Sequence, residues 1–299
     1  MKILLLGSSG YVGAQLCGLL KATGYSFLTV DIGGDPEFRL DVIHEIDALS
    51  ELIGAYSPDV VINLVALASN STCIQSPKGV YSINVLFPGQ LYRICSKFSV
   101  GLLLHASSEW IYGLGSQNHA SSPSPEGFYH LSHDLYSRSK LDSEILLQNY
   151  TCLPFAFTRV ASLRLGIIYG GTLVKSQSVV DKSINSYING SELVIVNQRA
   201  ARCFISVESV CHAFLRSSEY YLDSPSLINY LNVQGPRCIP ISYIDSYLRG
   251  RIDAIPTADG LGGDSNDDIK IISPEQTLIL GCKPSALEDY LDLYRCRND

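Results

Sequence analysis

No two of the nine cysteines are spaced as CxxC, and none stands with a histidine at zinc-ligand spacing. No metal site is therefore expected. The odd count and the scatter (Cys17, Cys73, Cys95, Cys152, Cys203, Cys211, Cys238, Cys282 and Cys296) read as reduced thiols in a cytoplasmic protein, not as a disulfide framework. Charge is also sparse: Asp, Glu, Lys and Arg make up 17%, and 22 basic against 29 acidic residues leave a net charge of -7. Such a surface lacks the clustered cations that nucleic acid requires, although a small anion needs only one local positive point. No apolar run approaches the roughly 18 residues of a membrane span. The opening run Ile3 to Leu6 is too short for a secretory core and leads straight into glycine. What remains is an ordinary globular mixture, 46% hydrophobic over 299 residues, which is enough for one large core or two modest ones.

Short apolar runs alternate with longer amphipathic segments through the first half. Strands are expected at Ile3–Leu6, Phe27–Val30, Val60–Val65, Leu102–His105 and Phe155–Leu165. Helices are expected at Tyr11–Ala22, Gly79–Phe98 (despite Pro88) and Leu131–Tyr150. Uninterrupted apolar strands separated by helices imply a parallel sheet covered on both faces, hence a doubly wound α/β fold of the Rossmann kind. After about residue 166 the segments shorten and turn pairs multiply: Gly170-Gly171, Asn189-Gly190, Gly235-Pro236 and the Gly- and Asp-rich run 259–268. A second, smaller α/β domain is expected there. Residues 1–165 plus about 204–232 would form the dinucleotide-binding domain, and about 166–203 plus 233–299 the substrate domain.

Gly7-Ser8-Ser9-Gly10-Tyr11-Val12-Gly13 is a GxxGxxG turn between the first strand and the first helix. Gly7 permits the tight turn, Gly10 lets a pyrophosphate approach the backbone, and Gly13 lets the helix pack close to the sheet. The helix N-terminus then offers free N–H groups to phosphate. Asp31 closes the second strand 18 residues after Gly13. A carboxylate there either accepts hydrogen bonds from an adenosine ribose, favouring NAD over NADP, or simply faces water. Asp41 is a further candidate on the adenine side, while Arg39 would suit a 2′-phosphate.

Tyr136 and Lys140 form YxxxK, which places both on one helix face. A free phenol, with a pKa of about 10, is a poor base at neutral pH. An ammonium one turn away and a positive nicotinamide ring would favour the phenolate, allowing Tyr136 to take or return a hydroxyl proton during hydride transfer. Ser108 lies at the C-terminal end of the strand before that helix, just past Leu102–His105, and a hydroxyl there is placed to hydrogen-bond the reacting oxygen.

The order GxxGxxG, Asp31, Asn63-Leu64-Val65-Ala66, Asn84, Ser108, Tyr136 and Lys140 resembles the extended short-chain dehydrogenase/reductases, the NAD-dependent epimerase/dehydratase family. The resemblance continues through Arg164-Leu165-Gly166-Ile167-Ile168-Tyr169-Gly170, Arg202-Cys203-Phe204-Ile205-Ser206-Val207 and Tyr230-Leu231-Asn232-Val233, spanning about residues 1–235. It implies NAD as cofactor, a nucleotide-sugar substrate, a homodimer through the helices near 85–97 and 132–150, and epimerisation by transient hydride transfer. By that resemblance Tyr136 is the base, Lys140 its partner, Ser108 a sugar contact and Asn84 a neighbour of the cofactor. Arg202 meets the substrate diphosphate, unless it is a surface cation.

Two departures bear on the activity. Ile167 stands where the family usually has an asparagine that touches the nucleotide-sugar, which keeps a 4-keto-sugar reductase open. Glu109-Trp110 follows Ser108 where sugar dehydratases carry Asp-Glu, so elimination of water is disfavoured. Glu109 reads either as a single acid or base at the substrate or as a polar strand end, and Trp110 as a wall of the sugar site or as packing. The loop holding His119, Ser121-Ser122-Pro123-Ser124-Pro125, His130 and His133 reads as a rim or lid. A dinucleotide-sensing regulator or scaffold is the non-enzymatic reading, and an intact Ser108, Tyr136 and Lys140 weighs against it.

Overall fold

The computed structural model describes residues 1–68, 70–112, 134–154, 156–171, 178–195, 200–256, 281–282 and 284–295. In chain order the elements are β1 (Lys2–Leu6), α1 (Tyr11–Thr23), β2 (Ser26–Asp31), β3 (Phe38–Arg39), α2 (Ile46–Tyr56), β4 (Val60–Asn63), α3 (Asn70–Gln75), α4 (Pro77–Val80) and α5 (Phe87–Lys97). They continue with β5 (Leu102–Ser108), α6 (Leu135–Thr151), β6 (Arg159–Leu165), β7 (Ile167–Tyr169), α7 (Val179–Ile188), β8 (Ala201–Ser206), α8 (Val207–Tyr221) and β9 (Ile228–Val233). The last are β10 (Cys238–Pro240), α9 (Ser242–Leu248) and α10 (Leu287–Arg295).

Seven strands form one sheet in the order β3-β2-β1-β4-β5-β6-β9, with every neighbouring pair parallel. The reversal of strand order at β1 and β4 is the doubly wound signature, and it opens a crevice at the carboxyl ends of those strands. Strand alternation feeds two separate cores. Ile3, Leu5, Ile62 and Leu104 face Leu16 and Leu20 of α1 and Val210 and Phe214 of α8. Leu4, Leu6, Val61 and Leu103 face Leu49 and Ile53 of α2, Phe87 and Leu91 of α5 and Leu147 of α6. Both faces are covered, which explains why β1 and β4 read as unbroken apolar runs.

A second sheet of three strands, β10-β8-β7, packs with α7, α9 and α10 around Tyr169, Ile184, Phe204, Ile244 and Leu291. β8 serves both bodies, since Phe204 enters this core and its neighbour Ile205 enters the main one. Among the described residues no helix is long and apolar enough to cross a membrane.

Three expectations shift. The single helix expected at 79–98 is α4, a π-helical segment Tyr81–Leu86, and α5. Pro88 lacks the N–H that would bond the Asn84 carbonyl, and the wider turn absorbs that loss. The strand expected from Phe155 begins at Arg159. The helix expected from Leu131 is described from Leu135, with Asp134 as its N-cap accepting from the Ser137 N–H.

Beneath α6 the sheet also carries buried polar groups. Arg164 and Glu144 form an ion pair at 2.7 Å with both side chains almost wholly buried. Arg164 also donates to the Tyr112 hydroxyl at 2.8 Å, and Tyr112 donates to Asn232 at 2.8 Å. Burial works against the Arg164 charge, and Glu144 and Tyr112 more than offset it, holding the guanidinium above its ordinary range. Removing one partner strands the other charge. Glu144→Leu is therefore expected to cost about 3–5 kcal/mol in urea unfolding, with most of it recovered in the Glu144→Leu/Arg164→Leu double variant. A double variant as unstable as the single one would show that the packing of Glu144, not its charge, matters.

Candidate functional site

The glycine turn is shaped by contacts that leave no room for side chains. Gly7 has φ +85°, and a Cβ there would lie 2.9 Å from the Leu64 carbonyl carbon. A Cβ on Gly13 would lie 2.1 Å from the Gly7 carbonyl oxygen, so α1 starts directly against the turn. Gly10 is the N-cap of α1, and no side chain caps it. The first N–H groups of α1 and its positive dipole end are thus left for an anion. Gly7, Gly10 and Gly13 all line a cavity of about 540 Å³. Tyr11, from the same turn, donates to the Gly170 carbonyl at 2.6 Å and so joins α1 to the segment after β7.

The same cavity is lined by Ser108, Tyr136 and Lys140. Ser108 ends β5, and Tyr136 and Lys140 lie on one face of α6. Burial pushes the Tyr136 phenol up to about 12, against a hydrogen bond with Ser108 that pulls it down. Burial brings the Lys140 ammonium down to about 8, against the negative charge of Glu144. The Lys140 Nζ donates to the Ala106 carbonyl at 2.8 Å. The sequence led us to expect a phenol lowered by Lys140. Within the protein alone, desolvation raises the phenol, and Ser108, not Lys140, is the group that lowers it.

Behind Lys140 lies a hydrogen-bond chain that the sequence reading missed. The Ser143 hydroxyl donates to the Lys140 carbonyl at 2.7 Å, so it accepts from His105 Nε2 at 3.0 Å. His105 Nδ1 then accepts from the Asn63 amide at 3.4 Å, and Asn63 Oδ1 accepts the Val65 N–H at 3.1 Å. This order fixes a neutral imidazole with its proton on Nε2. Burial, with the Lys140 charge adding to it, holds His105 well below its ordinary pKa. The signal available in the sequence was a histidine inside the apolar strand Leu102-Leu103-Leu104-His105.

On the adenosine side, Asp31 accepts the Ser9 N–H at 2.8 Å and the Gly33 N–H at 3.1 Å. It lines a second cavity of about 340 Å³ with Asp41, Val42, His44, Lys78 and Ser82. Asp41 accepts the Ile43 N–H at 3.0 Å and meets the His44 ring at 2.7 Å. His44, Lys78 and Ser82 were not anticipated. Arg39 is spent on its own loop, donating to the carbonyls of Ile32 and Gly34, not set toward a 2′-phosphate. The segment after β4 walls both cavities, Leu64 and Ala66 on the larger and Val65 on the smaller. The chain offers an adenosine-side carboxylate, an uncapped helix start and a side-chain-free turn, and these fit a dinucleotide.

Four further candidates are placed as follows. Asn84 is buried, accepts the Leu67 N–H at 2.9 Å, and donates to the Leu67 carbonyl and to Ser139 at 3.0 Å. It clamps the segment after β4 to α6 and does not line either cavity. Glu109 is fully buried within electrostatic reach of Tyr136 and Cys238. Arg202 is buried on β8 and is not the surface cation that was the alternative; its Nη1 donates to the Ala201 carbonyl at 2.8 Å. It lies outside the lining of the larger cavity, whereas Trp110 and Ile167 line it. His119, His130, His133 and the Ser/Pro loop lie outside the described residues.

The family model described as the NAD dependent epimerase/dehydratase family matches residues 3–229. Among curated proteins, Protein CapI of Staphylococcus aureus is 24% identical over 237 residues, covering 72% of this chain and 69% of that protein. The UDP-glucose 4-epimerase uge1 of Schizosaccharomyces pombe is 23% identical over 167 residues, covering 50% of this chain and 46% of that protein. Among solved structures, MoeE5 in complex with UDP-glucose and NAD superposes with a TM-score of 0.80 at 19% identity, covering 99% of this chain and 97% of that one. The Thermus thermophilus UDP-glucose 4-epimerase in complex with NAD gives 0.78 at 18%, covering 99% and 98%. At these identities the superpositions speak to the fold. With the family model covering most of the length and its motifs converging on one crevice, the chain belongs to the NAD-dependent epimerase/dehydratase family of extended short-chain dehydrogenase/reductases.

Proposed function

We propose that this protein is an NAD-dependent epimerase of a nucleotide-linked sugar. The observation that carries the reading is convergence: the glycine turn, Ser108 and the Tyr136–Lys140 pair come from three separate stretches of sequence and line one cavity. Bound NAD supplies the chemistry of taking a hydride from a sugar carbon and giving it back on the opposite face. The chain's own residues handle the proton. The Tyr136 oxygen takes it from the sugar hydroxyl and later returns it. Ser108 Oγ accepts the Trp110 N–H at 3.3 Å and is hydrogen-bonded to the Tyr136 phenol, so it would stand beside the oxygen that exchanges the proton. Lys140 holds a positive charge under the site through the Ala106 carbonyl. Gly10 to Gly13 would hold the pyrophosphate, and Asp31 the adenosine ribose.

Relatives described as UDP-glucose 4-epimerases support a nucleotide-sugar, and the sparing of Arg39 for its own loop supports NAD over NADP. A 4-keto-sugar reductase would use the same residues with exchangeable cofactor, and Ile167 in the cavity wall favours keeping it as the second reading. A single Glu109, fully buried, gives little support to a dehydratase. We further propose that residues 1–165 with about 204–232 bind the dinucleotide while the remainder shapes the substrate side; the distinct core around Tyr169, Ile184, Ile244 and Leu291 supports this. The homodimer would use α5 and α6, whose exposed residues Gln90, Arg93, Lys97 and Arg138 would make such an interface polar.

Mass spectrometry of small molecules released from the purified protein is expected to find NAD. Epimerisation of the true substrate is expected to proceed without net change in the NADH absorbance band, whereas a reductase would consume added NADH or NADPH. Tyr136→Phe should lower turnover roughly 100- to 10,000-fold. Unchanged turnover would remove the phenol from the mechanism and revive a sensing or scaffold role.

The lowered Lys140 pKa has a signed consequence for stability. The fold disfavours the ammonium, and that penalty is complete below about pH 8. It fades as pH rises toward the ordinary lysine value of about 10.4. Lys140→Met is therefore expected to unfold at higher temperature than the native chain at pH 7, with the gap closing by about pH 10, while turnover falls. A variant less stable at pH 7 would show that the Ala106 contact more than compensates for burial.

A further inference from the structure

Directly after β5 the chain makes a 3₁₀ turn, Glu109–Tyr112. Glu109, Ile111 and Tyr112 are buried, and Trp110 alone of the four keeps exposed surface. That surface lies in the larger cavity, alongside Ser108 and Tyr136. The Trp110 backbone N–H donates to Ser108 Oγ at 3.3 Å, so the main chain that carries the indole is fixed beside the Ser108 hydroxyl. The Arg202 guanidinium lies 5.4 Å from the ring centroid, packed on the indole. Another stretch of the wall is supplied by Ile167, which can offer a sugar no hydrogen bond.

We propose that Trp110 is the platform on which the substrate's sugar ring lies, with Arg202 bracing the indole from behind, and that this platform distinguishes a nucleotide-sugar from the bare nucleotide. The inference rests on the function proposed above and adds the sugar subsite to it. A sugar ring presents a face of C–H bonds that carry partial positive charge, and an indole presents a negative face. A cation stacked on an aromatic ring is attracted by the same quadrupole and holds the ring's plane. Contact of this kind has no direction. An asparagine at position 167 would favour one orientation of the ring, whereas an indole with Ile167 accepts either. Inverting a sugar carbon requires the ring to present both faces to the hydride site, so a wall without directional bonds suits the reaction.

The chain has one tryptophan, so its indole emission reports Trp110 alone. The test titrates the purified protein, with its bound dinucleotide, using UDP-glucose, dTDP-glucose and GDP-mannose and the matching nucleoside diphosphates. Emission and calorimetric affinity are read together. A binding nucleotide-sugar is expected to change the emission substantially and its nucleoside diphosphate much less. Trp110→Ala is expected to weaken the nucleotide-sugar about tenfold while leaving the nucleoside diphosphate within about twofold, and Trp110→Phe to restore most of the loss. Calorimetric binding with silent emission would overturn the platform and leave the proposed function standing. Equal weakening of sugar-linked and bare nucleotide in Trp110→Ala would do the same, assigning Trp110 to packing. If none of the three nucleotide-sugars binds the native protein, the function and the platform fall together.

Discussion

The approach of Gly13 to the Gly7 carbonyl is the contact on which the candidate site depends. It lets α1 begin in the crevice between β1 and β4, where the strand order reverses, with nothing but backbone between helix and turn. An added methyl would push the helix start outward and move its N–H groups away from the cavity. The other side of the turn is fixed as closely, because Gly7 abuts Leu64 and Val65. Those residues leave β4 and wall the two cavities, so one crowded turn sets the positions of the phosphate side and the adenosine side together. The remaining groups arrive from the neighbouring strand: β5 delivers Ser108 beside β4, and α6 lays Tyr136 and Lys140 over it.

Placing charged groups under α6 has a cost that the fold offsets locally. Lys140, Glu144 and Arg164 are all buried, and each is held by a specific partner: the Ala106 carbonyl for Lys140, and each other, with Tyr112, for the pair. Buried charge is tolerated on those terms and not otherwise. His105 extends the same logic with a neutral group. In register with Asn63 on one side and Ser162 on the other, it sits in a polar row across β4, β5 and β6. Burial and the neighbouring Lys140 charge both favour that neutral form.

Apolar periodicity made the parallel sheet and its covering helices legible in the sequence, because strands buried on both faces must read as continuous apolar runs. The glycine turn, Asp31, Ser108, Tyr136 and Lys140 were legible because each performs a chemical task that few residue types can perform. Their partners were not. Asn84 reads as a cofactor neighbour until its amide is seen spent on Leu67 and Ser139. Arg202 reads as a surface cation or a substrate contact, and its burial removes the first of these; the pairing of β8 with β10, which sets Ile239 beside it, comes from a distant part of the chain. The π-helical turn before Pro88 was invisible for a related reason: periodicity reports which face is apolar, and adding one residue to a turn changes the hydrogen bonds more than the face.

The electrostatics of the Tyr136–Lys140 pair follow from the same burial. A phenol at about 12 and an ammonium at about 8 are both displaced toward their neutral forms, as desolvation demands. At neutral pH the protein's own groups therefore keep the proton on the phenol, and Ser108 supplies only part of what would release it. Positive charge entering the cavity would act with Ser108, whereas the described carboxylates nearby, Glu109 and Asp134, act in the opposite direction. Under the proposed function that charge would come from an oxidised nicotinamide ring. The proposed reading then couples the two transfers: the cofactor that would accept the hydride would also favour release of the hydroxyl proton.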